Sequence, residues 1–322
     1  MTHERTPPYP TPPVPVRDDA PGDPWLSVMV PTFRCASTLR ETLGSVLTQT
    51  AGDQSIEVVV VDNASDDGTG EVAREFPGAT LLRNPTNLGM IGNFHACVSA
   101  ARGRWIHILH GDDVVYPGFY DTIRAASIDH PDLGLIATRA LLIDAAGSAF
   151  GVSAQVPSMR YPTHDGSAFH AFNPLSNPGV VVNRSAYRRC GGYIDEVFFT
   201  SDWEMWHRLV RCQGGLVVDR LLAGYRIAGP SMSSLGMRNG RNLCDVLRVG
   251  ELMAEWPGPC DMRPLRDDVK QRARNAHAHY LREGDQEAAS ANLAVWRRLA
   301  GTRERLRFRA GALLRRCIGS MS

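Results

Sequence analysis

The sequence predicts an α/β fold built on a mainly parallel sheet, and three observations carry that prediction. Over residues 26–109 short apolar strands alternate with amphipathic helices through short links, the pattern of right-handed βαβ units. Ile56–Val61 is rich in β-branched residues, as a strand buried on both faces requires. The ends of strands one, two and four carry Pro31-Thr32, Asp62-Asn63 and Asp112-Asp113. In open parallel sheets ligands bind beyond the carboxyl ends of the strands. Three unrelated loops have no need of such residues, whereas loops that meet over one ligand do.

The elements follow in order. Leu26–Val30 is an apolar strand. Thr38 and Glu41 form a T-x-x-E capping-box pattern ahead of Leu39, Leu43, Val46 and Leu47 at helical spacing. The polar turn Asp62–Gly68 leads from the second strand to a helix near Thr69–Phe76. Ala79–Arg83 is a third strand, Ile91–Ala101 a helix and Trp105–Leu109 a fourth strand. Leu133–Thr138 opens a less regular half. Residues 146–179, rich in Gly, Pro, Ser and His, read as a long active-site loop. Gly179–Val182 is a short strand, Arg184–Cys190 and Asp202–Arg211 are helices, and Leu216–Val218 and Leu222–Ile227 are strands. Beyond 240 the pattern is helical over about 242–255, 265–283 and 286–299. This organisation implies a tail (1–24), a main domain (25–237, divided near 120) and a helical extension (238–322). The tail holds eight of the 21 prolines and is expected to be extended and disordered.

Composition narrows the function. The 322 residues carry 35 Lys+Arg against 34 Asp+Glu, a formal net charge of +1, which argues against a whole-surface nucleic-acid binder. Seven cysteines without a CxxC pair fit reduced thiols rather than a zinc site or disulfide framework. There is no run of 18 apolar residues and no apolar h-region at the start, so a cytoplasmic protein without a spanning helix is expected. Only Lys270 is a lysine; the other cations are arginines. Eight of them lie in 295–316 against one acid, Glu304, interleaved with Leu306, Phe308, Leu313, Leu314 and Ile318. Such a segment either packs on the domain as a solvated helix or lies on an anionic membrane.

The sharpest local feature is His110-Gly111-Asp112-Asp113. Adjacent carboxylates at a strand end repel each other unless a cation or hydroxyl groups satisfy them. Holding Mg²⁺ or Mn²⁺ with few protein ligands is one such use, a solvated turn the other. Upstream and downstream lie Ser27-Val-Met-Val-Pro-Thr-Phe-Arg34, Leu43-Gly-Ser-Val-Leu-Thr-Gln-Thr50, Val60-Val-Asp-Asn-Ala-Ser-Asp-Asp-Gly-Thr69 and Asn87-Leu-Gly-Met-Ile-Gly-Asn93. In this order the five segments resemble the family 2 glycosyltransferases over residues 26–120, and more weakly to about 235.

The resemblance implies the GT-A fold, a nucleotide-sugar donor (UDP-sugar first, dTDP-sugar second) and direct displacement with inversion. It implies that Pro31 and Thr32 lie against the base, and that Asp62 and Asn63 hold base and ribose. Asn87, Gly89 and Asn93 would close over the donor, Asp112 would contact sugar hydroxyls, and Asp113 would bind the metal. Asn63 stands where many relatives have Asp, and an amide offers both a donor and an acceptor. Asp202, in Phe199-Thr-Ser-Asp-Trp-Glu-Met-Trp-His-Arg208, matches the base that deprotonates the acceptor. Its other reading is a helix cap, and the two are compatible. Asn177, Trp203 and Glu204 are acceptor-side candidates, Trp203 equally a core residue. Tyr225-Arg226-Ile-Ala228 matches Y-R-x-H without its histidine, so Arg226 is the expected neutraliser of the leaving diphosphate. The acceptor would be a small molecule or glycan, in bacterial cell-surface glycan or specialised-metabolite synthesis. A sugar-nucleotide pyrophosphorylase would need a Gly-rich basic loop that Val30–Arg34 lacks. A non-catalytic sugar-nucleotide binder is hard to reconcile with intact Asp62, Asp112, Asp113 and Asp202. A dehydrogenase would need a G-x-G-x-x-G after the first strand, which is absent.

Overall fold

A computed structural model describes residues 5–227 and 236–306. The first half contains β1 (Leu26–Thr32), α1 (Leu39–Thr50), β2 (Ile56–Asp62), α2 (Thr69–Arg74), β3 (Thr80–Arg83), α3 (Gly89–Ala100) and β4 (Trp105–Ile108). The second contains β5 (Val114–Val115), α4 (Phe119–Asp129), β6 (Leu135–Ile143), β7 (Ala149–Val152), β8 (Val180–Asn183), α5 (Arg184–Cys190), α6 (Ser201–Gln213) and β9 (Gly215–Arg226). Helices α7 (Arg241–Ala254), α8 (Arg263–Arg282) and α9 (Gln286–Leu299) follow.

One sheet in the order β3-β2-β1-β4-β8-β6-β9-β5, with β7 on β6, runs through the molecule. Its first four strands are parallel, as the βαβ alternation requires. Beyond β4 it is mixed: β8 is antiparallel to β4 and β6, while β6 and β9 are parallel. The two expected strands 216–218 and 222–227 are one strand, β9, whose register against β6 shifts near Arg139. A bulge of this kind bends a strand without ending it. The stretch 146–179 is not all loop, since β7 hairpins back on β6.

Two apolar clusters sandwich the sheet. One joins Met29, Ile106 and Ile108 to α3, α6 and the C-terminal helices; the other joins Val28 and Val30 to α1 and α4. Val58–Asp62 is buried throughout, as a central strand covered on both faces should be.

Two expectations about the ends are corrected. Residues 5–24 are extended but not disordered, because they are strapped across the domain. Tyr9 is buried and donates to Glu204 Oε1 at 2.8 Å, the Gly192 amide donates to Pro12 O, and Arg184 binds Asp19 and Asp23. A proline-rich chain loses little conformational entropy on docking, so a few such contacts suffice. At the other end α9 stops at Leu299, and Ala300 is extended before a short helix at 302–306. The expected basic helix over 295–316 is therefore broken at its start. Arg307, Phe308, Arg309, Leu313, Leu314, Arg315, Arg316 and Ile318 lie outside the described residues, as does Ala228.

Candidate active site

The strand ends meet as the topology requires. Parallel pairing sets Thr32 beside Asp62. The Asn63 amide donates to Thr32 O at 2.9 Å and the Gly111 amide to Pro31 O at 3.2 Å. A Cβ on Gly111 would lie 2.8 Å from Thr32 Cγ2, so only glycine lets this loop close on β1. Above these ends lies a cavity of about 430 Å³ lined by Pro31, Thr32, Asn63, Asn87, Gly89, Asn93, His110 and Asp112, among others. A second cavity, about 490 Å³, is lined by Asn173, Asn177, Asp202, Tyr225 and a largely apolar wall. Met90, Phe94, His110 and Phe198 face both, so the two spaces share one wall.

Asp62 is corrected by the geometry. Its carboxylate is fully buried, takes Arg83 Nη1 at 2.5 Å and the Ser65 amide at 3.1 Å, and does not line the cavity. Asp62 shapes the 62–68 turn instead of holding a base. Asn63 does line the cavity, but its amide is spent on the protein. Nδ2 donates to Asn87 Oδ1 (2.8 Å) and Gly89 O (3.1 Å), and Oδ1 accepts from Asn84 Nδ2 (3.0 Å) and the Leu88 amide (2.9 Å). Asn84 also donates to Asn93 Oδ1, and Asn93 to Val61 O. Only an amide can both give and accept here, which explains Asn rather than Asp. Asn63→Asp would face two acceptors, Asn87 Oδ1 and Gly89 O, with a third. We expect a loss of about 1–3 kcal/mol in urea unfolding, with weaker UDP binding by calorimetry as the 84–89 segment loosens.

The carboxylate loop is bracketed by Arg226. Its backbone N–H donates to Asp113 Oδ1 at 2.8 Å, and its guanidinium donates to Asp112 O (2.7 Å), Asp144 O (3.0 Å), Ala145 O (3.2 Å) and Glu41 Oε2 (2.6 Å). Four of its five guanidinium N–H groups are spent on the protein and the side chain is only 2% exposed, so the expected leaving-group role is corrected to one of positioning Asp112-Asp113. Glu41, expected in a capping box, is spent on this arginine. Thr38 Oγ1 donates to Gly111 O at 2.7 Å rather than capping α1. Sequence pattern located both residues, and tertiary contact reassigned them.

Asp113 is 1% exposed, and its Oδ2 has no hydrogen-bond partner. Burial, and then the Asp112 charge, push its carboxyl well above the usual carboxylate range. Donor atoms of His110, Asp112 and Asp113 lie within 4.8 Å of one another. A buried carboxylate oxygen without a proton donor is the group a cation satisfies, and a set of two carboxylates and an imidazole suits a divalent ion. The residues present therefore fit the implied metal. His110 was quoted in the motif but given no role; its nearness to Asp113 is visible only in three dimensions.

Asp202 opens α6 and faces the second cavity. Its Oδ1 accepts from the Trp203 amide at 2.8 Å and its Oδ2 from Asn173 Nδ2 at 3.0 Å. Burial raises its pKa to about 6. Asn177 lies on the same cavity, where its side-chain amide is 2.6 Å from His110 Nε2. Beneath it His107, also unassigned by sequence, bonds Pro178 O through Nε2 at 3.0 Å; burial lowers its pKa to about 4, so the ring is neutral. Trp203 and Glu204 do not reach the cavity. Trp203 is buried and donates to Phe169 O at 2.8 Å. Glu204, fully buried, pairs with Arg208 at 2.7 Å and accepts from Tyr9. Both are core residues, because the helical step after Asp202 turns these side chains inward.

A protein-family description, Glycosyl transferase family 2, matches residues 27–174. An uncharacterized protein of Mycobacterium tuberculosis is 28% identical over 243 residues, 71% of this chain and 75% of its own length. The mannosyltransferase PcManGT from Pyrobaculum calidifontis, solved with GDP-Man and Mn²⁺, has a similar fold: TM-score 0.54, 19% identity, 94% of this chain and 83% of that one. So does TarS 1–349 from S. aureus, solved with UDP-GlcNAc: TM-score 0.53, 14% identity, 85% and 91%.

Proposed function

Because this chain belongs to glycosyltransferase family 2 through residues 27–174, we propose that it transfers a sugar from a nucleoside diphosphate sugar to an acceptor hydroxyl with inversion at the anomeric carbon. One observation carries the reading. The cavity beyond the parallel strands and the cavity holding Asp202 share a wall, with the Asp112-Asp113 loop on the first side and a carboxylate on the second. An in-line displacement needs this separation, with the leaving group on one side of the sugar and the base on the other.

The donor nucleotide lies in the first cavity against Pro31, Thr32, Asn87, Gly89 and Asn93. Asp112 accepts from sugar or ribose hydroxyls. Asp113 and His110 would hold Mg²⁺ or Mn²⁺, which when bound supplies positive charge to the diphosphate as it departs. Asp202 accepts the proton of the acceptor hydroxyl as that oxygen attacks. No covalent glycosyl–enzyme forms. UDP-sugars are the first expectation, although the structurally similar proteins were solved with both GDP-Man and UDP-GlcNAc. The acceptor cavity has no lysine or arginine among its described lining residues, which favours an uncharged acceptor over an anionic one. No described helix is long and apolar enough to cross a membrane.

The test is a panel of UDP-, dTDP- and GDP-sugars, with products weighed intact and their anomeric configuration read by NMR. Donor hydrolysis in Mn²⁺ should fall at least about 10²-fold in Asp113→Asn, with the fold unchanged by circular dichroism. A product that retains configuration, or activity indifferent to Asp113, would overturn the reading. Absence of any turnover across the panel would favour a binding protein.

A further inference from the structure

The carboxylate loop brings a histidine to the place where the buried Asp113 oxygen lacks a partner. His110 Nδ1 is 3.7 Å from Asp113 Oδ2, a separation that two atoms bound to one ion can adopt. The ring is held on two sides: it stacks on Phe94 with centroids 5.3 Å apart and planes 7° from parallel, and its far nitrogen, Nε2, lies 2.6 Å from Asn177 Nδ2. A ligating imidazole generally has its second nitrogen fixed in this way.

We propose that His110 is a protein ligand, through Nδ1, of the divalent cation held by Asp113, and that this makes the site selective for Mn²⁺ over Mg²⁺. The inference rests on the metal-assisted reading above. Nδ1 then carries the lone pair and Nε2–H becomes a donor, so cation binding turns the Asn177 amide from presenting Nδ2 to presenting Oδ1 to the ring. Imidazole nitrogen suits Mn²⁺ and later transition ions better than Mg²⁺, which prefers oxygen donors and retained water.

The experiment uses the full chain with Mn²⁺ and UDP or GDP, read by electron paramagnetic resonance rather than turnover. Wild-type protein should show modulation from a directly bound ¹⁴N, and labelling histidine with ¹⁵N should replace that pattern with the ¹⁵N one. His110→Ala should abolish it, weaken Mn²⁺ binding roughly 10-fold or more and lower the ratio of Mn²⁺ to Mg²⁺ affinity. The labelled wild type decides the question even where a variant fails to fold. Mn²⁺ that binds in an Asp113-dependent way without a histidine nitrogen signal overturns the His110 assignment alone. No Mn²⁺ binding with either nucleotide overturns both this assignment and the metal-assisted reading.

Discussion

Asp202→Asn is expected to lower kcat by about 10²–10⁴-fold while leaving donor affinity nearly unchanged. The carboxylate lines the cavity opposite the donor loops, and only its ionised form can take a proton. Its pKa of about 6 also sets the pH profile. Below that value the base is protonated, so wild-type kcat/KM should fall on the acid side with a midpoint near 6 and a slope of one. The residual activity of the variant should not show that limb. The stability sign runs the other way. Burial favours the protonated form, so the native state binds this proton more tightly than the unfolded chain. Wild-type stability therefore declines as pH rises from about 4 to 6, and at neutral pH the ionised group is a cost of up to about 2–3 kcal/mol. Asn removes that charge, so the variant should melt higher at neutral pH although one of the two hydrogen bonds is weakened. A residue that only capped α6 would behave oppositely, losing stability and keeping turnover. Parallel measurement of kcat and Tm against pH separates the two.

Glu204→Ala should destabilise the fold by about 3–5 kcal/mol without a specific effect on acceptor KM in the protein that remains folded. The substitution leaves Arg208, itself fully buried, with its charge uncompensated. Arg208 also donates to Gly191 O and Gly192 O, and to Cys190 O, so the loss would spread to the α5–α6 connection. Tyr9 would lose its acceptor on Glu204, loosening the N-terminal strap. Tyr9→Phe removes two hydrogen bonds, the one donated to Glu204 Oε1 and the one accepted from Trp256 Nε1 at 3.2 Å, and should cost about 1–3 kcal/mol. Urea unfolding checks both. An unchanged midpoint with a raised acceptor KM would return Glu204 to the acceptor site. The pair lies at the base of the helix that carries Asp202, so its work is to hold that helix start in place.

Most of the fold was legible in the chain because its signals are local and periodic. Capping aside, α1 was announced by Leu39, Leu43 and Val46, all of them buried, and β2 by its valines. Helices α5 and α9 appear at the expected residues. The mixed half was less legible, because an antiparallel strand such as β8 is defined by its partners rather than by its own four residues. The strap was misjudged because proline-rich composition reports the absence of helix and sheet but not the presence of a tyrosine-sized gap.

By itself the sequence determined which segments gather around the two adjoining cavities: the three strand ends, the Asn87–Asn93 segment and the start of α6. A strand end or a helix start is local, and each requires particular residue types. Tertiary structure decided which of those side chains remain available for a ligand. Asp62, Asn63, Glu204 and Arg226 are all spent on partners that are 21 to 195 residues away, or on the loops they organise. Asp112 and Asp202 keep a face toward a cavity, and Asp113 keeps a buried oxygen without a partner. The physical reason is that a buried polar group must find a hydrogen-bond partner, and which partner it finds depends on how distant segments pack. A motif records that a carboxylate or an amide is needed at a position; the packing determines whether it serves the fold or the substrate.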